Sequence, residues 1–224
     1  MARKITLIKL FVVTGNFLIP VYAFFLYFTC LKTFQGFLFF LLFSAAIIER
    51  AWETFKTSRE KHRDEFHGDW TLAAVTTAYI GLFFAFITEF YLFVKSADMF
   101  ITSVGFLFLG ISLRMRFWGM TALGKQWAVH AVGAQKIRKV RLIKIGPYRY
   151  VRHPIYLGII LECIAFPIIA NTPYSFLIAL AICVPLVVIR ARTEEKASMR
   201  RFGEKYSKYK QEVGMFFPTQ IFHR

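Results

Sequence analysis

Residues 146–158 read "GPYRYVRHPIYLG": two arginines, three tyrosines and a histidine run directly into an apolar stretch that begins at Pro154. Proline is well placed at the first position of a helix, where its missing N–H costs nothing, so His153-Pro154 marks a helix start. The segment Pro154–Ala170 is apolar over about 17 residues, turns at "ANTP" (Ala170–Pro173) and returns as a second apolar arm, Pro173–Ile189. The pattern is a hydrophobic hairpin whose two polar ends lie on one side. Each arm is marginal for crossing a hydrocarbon layer about 30 Å thick, which needs roughly 20 residues.

Four further apolar stretches precede the hairpin: Leu7–Leu31, Phe34–Ile48, Trp70–Val94 and Met99–Leu113. With 57% hydrophobic residues, 27 phenylalanines and a mean hydropathy of +0.49, the chain reads as an all-α polytopic membrane bundle of about five to six spans. The last two spans form the hairpin, and a charged helix comes after it. The basic N-terminal run lacks a small-residue cleavage site after its apolar segment and reads as a first span rather than a leader. Pro20 falls inside that span, where a kink is tolerated.

A net charge of +16 raises the possibility of nucleic acid. With the N-terminus cytoplasmic and six spans, however, every Lys and Arg except Lys32 and Lys95 falls on the cytoplasmic side. That bias is the positive-inside rule, so the charge reports topology rather than a nucleic-acid partner. Both termini are then cytoplasmic. Residues 124–152 hold eight Lys/Arg and no acid, which places this loop against anionic headgroups. Cys30, Cys163 and Cys183 lie in apolar surroundings without metal-like spacing and read as small hydrophobes. His62 and His67 are five apart, poor spacing for one helical face, and no metal is expected. No internal repeat and no low-complexity segment is present.

The polar chemistry gathers at the two mouths of the hairpin. At the entrance, Arg149, Arg152 and the tyrosines have a plain reading as interfacial anchors. At the exit, Arg190 and Glu194 share a helical face at i, i+4, and Arg192 and Glu195 offer a second pair at i, i+3. Ionisable residues this close to a span mark function by default, and two antiparallel arms return Arg190 to the membrane face that His153 left. Glu162, two turns into the first arm, either pairs with a neighbouring helix or contacts a substrate. Glu89 reads as structural. The chain divides into a transmembrane scaffold, residues 1–109, and a core, residues 110–224.

"GPYRYVRHPIYLG", with "RARTEEKASMRRFGEKYSKYK" (190–210) on the far side of the hairpin, closely resembles the isoprenylcysteine carboxyl methyltransferase family and its wider group of integral-membrane methyltransferases, phospholipid methyltransferases included. The upstream "ALGKQW" (122–127) is a weaker similarity, and the first three spans match only as generic helices. The resemblance implies S-adenosylmethionine as cofactor, held without a Rossmann domain, and a lipophilic acceptor: an isoprenylcysteine carboxylate, another lipid, or a small hydrophobic acid, thiol or amine. No glycine-rich strand-to-helix loop contradicts it. The implied cofactor contacts fall on Val140, Arg141, Leu142 and Ile143, on Tyr148, on His153, Pro154, Ile155 and Tyr156, and on Glu194. Arg190 is the implied substrate contact, and with Glu194 the implied catalytic pair; Glu162 is the further candidate for substrate. A glutamine contact of the family has Gln135 as its nearest match.

Two other readings compete. A sterol-reductase-like membrane reductase using NADPH tends to carry Asn after the His-Pro and Trp in the tail, where this chain has Ile155 and Tyr206. A non-catalytic transporter or scaffold tends to show paired, interrupted segments between its halves, which are absent from this sequence.

Overall fold

A computed structural model describes residues 2–30, 32–58, 70–94, 96–126 and 141–218, with the backbone alone over 2–13, 16, 51–58 and 125. Most of the basic loop, including Gln135 and Val140, lies outside the described residues, as do His62 and His67. Seven helices are described: α1 (Ala2–Cys30), α2 (Phe34–Ser58), α3 (Trp70–Phe93), α4 (Met99–Leu123), α5 (Pro154–Ala170), α6 (Pro173–Phe202) and α7 (Glu204–Glu212). Short 3₁₀ turns stand at Gly124–Gln126 and Gly146–Arg149. The only β-type pairing among the described residues is an isolated parallel bridge between Val151 and Gly214. The fold is an all-α membrane bundle.

Helices α3, α4 and α6 are long and apolar enough to cross a membrane, and Phe17–Cys30 and α5 are shorter apolar helices. Large apolar side chains also cover the outside. Phe17, Phe34, Phe100, Phe93 and Leu107 are all well over half exposed. An exterior of this kind has no place in water and suits a lipid surround. The interior is built from phenylalanine: Phe39, Phe43, Phe83, Phe86, Phe90 and Phe166 are buried. Their rings pack mostly tilted or edge-on, except Phe86 and Phe166, which stack at 5.7 Å.

The hairpin forms at its expected turn. Asn171 takes the left-handed conformation (φ 55°), one of the few non-glycine residues suited to it. Its side chain reaches across to Thr102 Oγ1 at 2.9 Å and accepts from the Asp98 N–H at 2.9 Å, tying the turn to the start of α4. Glu89 accepts from the Tyr174 and Ser175 N–H groups at 3.0 and 2.7 Å, capping α6 with a carboxylate from α3. Its structural reading therefore has a specific cause.

Helix α6 is continuous for 30 residues but widens to a π-turn at Ala179–Cys183. Pro185 comes two residues later, cannot donate to the preceding turn and crowds it, which accounts for the widening. The helix outruns its apolar stretch: beyond Ile189 it carries Arg190, Glu194 and Glu195 into the polar end. Gly203 (φ 53°) then ends it and turns the chain into α7.

Two spans also run further than their apolar stretches predict. Helix α2 continues to Ser58 and α4 to Leu123, and the extra turns carry Arg50 and Arg116 toward the interior while Arg114 stays exposed. Arg116, 2% exposed, meets Glu162 at 2.5 Å and Glu49 at 3.2 Å. Arg50 completes a bidentate pair with Glu162 and lies over the Tyr79 ring at 4.8 Å. Tyr79 donates to Glu162 at 2.5 Å. Two arginines and two carboxylates from α2, α4 and α5 thus neutralise one another inside the bundle, which offsets a desolvation cost that neither sign could bear alone.

Helices α4 and α5 approach most closely, through small residues. A side chain at Gly105 would stand 2.7 Å from the Ile169 backbone nitrogen; one at Gly119 would meet Ile155, and one at Gly158 would meet Arg116. Ser112 and Thr102 donate to the Gly158 and Ile169 carbonyls across the same seam, at 2.8 and 3.0 Å. This is close packing by small residues plus polar contacts, as membrane helices require. Gly105→Ala is expected to lower stability by about 1–3 kcal/mol, because backbone must shift. Gly81→Ala, with nothing within 4 Å of the added carbon, is expected to be neutral or slightly stabilising. Thermal unfolding of the two variants in the same detergent reads the difference.

Candidate functional site

The residues singled out at the two hairpin mouths meet at the polar end of α5 and α6. Tyr156, in the first turn of α5, donates to Glu194 Oε1 at 2.5 Å. Arg190 donates from Nε to the Tyr156 hydroxyl at 3.1 Å and from Nη1 to Thr71 Oγ1 at 3.1 Å, while its Nη2 stands 3.5 Å from Glu194 Oε1. Arg190 is 1% exposed, whereas Glu194 is part-exposed. The hairpin therefore does return Arg190 to the level of His153 and Tyr156. Thr71 is not legible in the sequence as a partner; it opens α3, far away along the chain, and nothing local marks it.

His153 precedes α5 without capping it. Its ring lies 5.7 Å from that of Tyr156 and 6.2 Å from that of Phe216. It is nine-tenths buried, and its Nε2 has no aligned hydrogen bond among the described residues, though it stands 3.4 Å from Glu195 Oε1. A buried ring nitrogen in this state is a ready position for a polar ligand atom. Pro154 and Ile155 turn their side chains toward Gly119 of α4, so any ligand contact they make is through backbone.

Tyr148 sits in the 3₁₀ turn and is buried, with its carbonyl taken by the Tyr209 hydroxyl at 2.6 Å. Burial pushes its phenol up and the nearby Glu194 charge adds to this, so it stays neutral. Of the preceding loop, Arg141 is clasped by Gln126, whose Oε1 accepts from the Arg141 N–H at 2.6 Å. Leu142 packs on the buried cluster of Tyr206, Tyr209 and Val213. Ile143 is half-buried. Val140 lies outside the described residues. Glu162 stands six residues along α5 from Tyr156, roughly 9 Å by helical rise, and its carboxylate is occupied by Arg50, Arg116 and Tyr79. Of its two readings, pairing between helices is the one its surroundings supply.

Two expectations need correction. Arg152 is not a headgroup anchor: it is 9% exposed and donates to Glu195 at 2.8 Å and to the carbonyls of Lys210 and Val213. Nor does Glu195 pair with Arg192. The twist of α6 turns Glu195 inward beneath Arg152 and leaves Arg192 exposed, and Lys210 completes the carboxylate from α7 at 3.1 Å. Arg149 and Tyr150 do stay exposed. The N–H groups of Arg152 and His153 go to the carbonyls of Gly214 and Met215, at 2.9 and 3.1 Å. The tail after α7 therefore fixes the approach to α5. Cys163 and Cys183 are buried, but Cys30 is exposed at the end of α1.

The segments that build this cluster have relatives among known proteins. The family model described as "Isoprenylcysteine carboxyl methyltransferase (ICMT) family" matches residues 103–200, which takes in most of α4, all of α5 and most of α6. Over that stretch the chain is similar to the ICMT family. The chain is 30% identical over 117 residues to Protein-S-isoprenylcysteine O-methyltransferase of Saccharomyces cerevisiae, a match covering 52% of this chain and 48% of that protein. It is 35% identical over 71 residues to Methanethiol S-methyltransferase 1 of Bradyrhizobium diazoefficiens, covering 32% of this chain and 24% of that one. A longer similarity, 24% identical over 165 residues, covers 71% of this chain and 96% of Uncharacterized protein YpbQ of Bacillus subtilis. The chain thus spans about half or less of the relatives named as methyltransferases. The matched stretch holds Tyr148, His153, Tyr156, Arg190, Glu194 and Glu195; Thr71, Lys210 and Phe216 lie outside it. Among the described residues no group of three or more His, Cys, Asp or Glu stands close enough to hold a metal ion.

The Arg152–Glu195–Lys210 triad gives the polar end a pH signature. Burial alone would raise the Glu195 carboxyl, but His153, Arg152 and Lys210 outweigh it and hold it at about 2. A carboxyl held below its ordinary 4.5 contributes stability that is complete above that value and lost as pH falls toward 2. Melting temperature should therefore drop across that window. Glu195→Gln should flatten the drop and cost about 3 kcal/mol at neutral pH, since it strands Arg152.

Proposed function

We propose that the chain is an integral-membrane methyltransferase that uses S-adenosylmethionine on a lipophilic acceptor. The observation that carries this reading is the hydrogen-bonded cluster Arg190–Tyr156–Glu194 beside His153, built from the two motifs of a methyltransferase family and set where α5 and α6 leave their apolar stretches. The names of the relatives, which act on an isoprenylcysteine and on methanethiol, support the reaction class more firmly than any one acceptor.

The residues fit such a cofactor. S-adenosylmethionine supplies a methyl group activated by a sulfonium, together with an ammonium and an adenine. Glu194 offers a part-exposed carboxylate to positive charge, and the Tyr148 and Tyr156 rings offer aromatic faces. The Nε2 of His153, which makes no aligned hydrogen bond among the described residues and stands 3.4 Å from Glu195 Oε1, offers a hydrogen-bonding position beside the Tyr156 and Phe216 rings. Leu142, Ile143, Pro154 and Ile155 would serve through shape and backbone, and Val140 and Arg141 would extend that wall.

Methyl transfer is an in-line displacement, so the work of these side chains is alignment and exclusion of water. Arg190 holds Tyr156 and Glu194 in one arrangement and directs positive charge toward the polar head of an acceptor. Thr71 fixes Arg190 in turn. An acceptor carboxylate is already a nucleophile and needs no base, whereas a thiol or amine has to lose a proton first. The basic loop and the positive-inside bias support placing both termini and this site on the cytoplasmic side, with the acceptor arriving through the bilayer.

Transfer of labelled methyl from S-adenosylmethionine into a host lipid and protein extract tests the proposal and identifies the acceptor. Arg190→Ala and Glu194→Ala are each expected to lower transfer by about a hundredfold, the cost of losing alignment. Near-wild-type transfer in both variants would remove the proposed roles.

A further inference from the structure

Next to the candidate site, on the opposite face of the Arg152–Glu195 pair, lies an open cleft of about 530 Å³ between α6 and the tail beyond α7. Arg192, Lys196 and Arg200 succeed one another at i, i+4 and i+8 along α6, all exposed, and line this cleft together with Lys210 from α7. Arg192, Lys196 and Arg200 make no ion pair among the described residues. The one carboxylate in the floor, Glu195, is already matched by Arg152 and Lys210. Three cations in a row thus face a concave surface whose only negative charge is spent.

The depth of this row is also informative. Arg192 and Lys196 stand three and seven residues past Ile189, roughly 4 and 10 Å along the helix. The headgroup layer extends roughly 5–8 Å beyond the hydrocarbon on each side. The Arg192 end of the cleft therefore opens at the level of lipid phosphates, and Lys196 and Arg200, the latter roughly 16 Å past Ile189, carry the row outward from there. Cations close to the membrane surface are attracted to anionic lipid headgroups, an attraction that falls off within a Debye length. Met199 and Met215 add a soft apolar wall to the same cleft. Positive-inside topology accounts for basic residues on this face, but not for their alignment along one concave surface.

We infer that this cleft is a binding site for a phosphate group, carried by an anionic lipid headgroup or by free phosphate, with Arg192, Lys196 and Arg200 as its ligands. It is separate from the methyl-transfer residues and does not depend on the proposed reaction. Because Glu195 closes its floor while Glu194 faces the other way, an occupant would also steady the turn of α6 that carries both.

Native mass spectrometry of the full chain in a neutral detergent tests this, titrating phosphatidylglycerol or phosphatidylcholine. One phosphatidylglycerol is expected to be retained in preference to phosphatidylcholine. Arg192→Gln with Lys196→Gln should weaken that binding roughly tenfold or more. Lys205→Gln with Lys208→Gln, which removes the same charge from α7 outside the cleft, should leave it within about twofold. Both pairs are exposed, and unchanged melting temperatures without lipid would confirm that neither variant disturbs the fold. Equal weakening by the two double variants, or equal retention of the two lipids, would overturn the site. Displacement of the bound lipid by inorganic phosphate would assign it to the phosphate group alone; resistance to displacement would assign it to the lipid headgroup.

Discussion

The carboxylate of Glu195 beneath Arg152 is the interaction on which the polar end of this protein depends. It joins the segment before α5, the end of α6 and, through Lys210 and two carbonyls, α7 and its tail. His153 is the residue after Arg152, and Glu194 precedes Glu195. Fixing one pair therefore fixes the other, and sets the two hairpin mouths at the distance at which Tyr156 bridges Glu194 and Arg190. A buried ion pair is costly to form and more costly to break on one side. Its value here is that it gives the two mouths a single relative position.

The second constraint lies deeper. Glu162 stands in the middle of α5 and carries Arg50 and Arg116 with it, and Arg116 also takes Glu49. Charge inside an apolar bundle can only persist when balanced. The balancing groups come from α2 and α4, with Tyr79 from α3. Together with Thr71 on Arg190, this means the first half contributes polar side chains to the second. A scaffold that only filled space would not need them.

Much of this is legible in the sequence. Helix class, the hairpin with its turn at Asn171, the break at Gly203 and the meeting of Arg190 with the 153–156 segment all derive from apolar run lengths and from proline, glycine and charge at their ends. Those signals are local, and local physics determines them. Partner choice is not legible. Arg152 and Glu195 each have a sequence neighbour of suitable charge or environment, but they turn toward each other across 43 positions. Arg116 sits just past an apolar run, and nothing beside it in the sequence marks its partners. Only the packing of α4 on α5 through Gly105, Gly119 and Gly158 shows that it points inward. Thr71 carries no charge and no motif, and becomes visible only when α3 and α6 are side by side.

The central claim is that His153, Tyr156 and Glu194 form one wall of a pocket for S-adenosylmethionine. Calorimetry on the purified full chain, comparing S-adenosylmethionine with NADPH, tests it most directly. Saturable binding of S-adenosylmethionine alone is expected, weakened at least tenfold by Glu194→Ala, in line with the loss of a charge-assisted contact of about 1.5–3 kcal/mol. Binding of NADPH in its place, or S-adenosylmethionine binding that Glu194→Ala leaves unchanged, would contradict it.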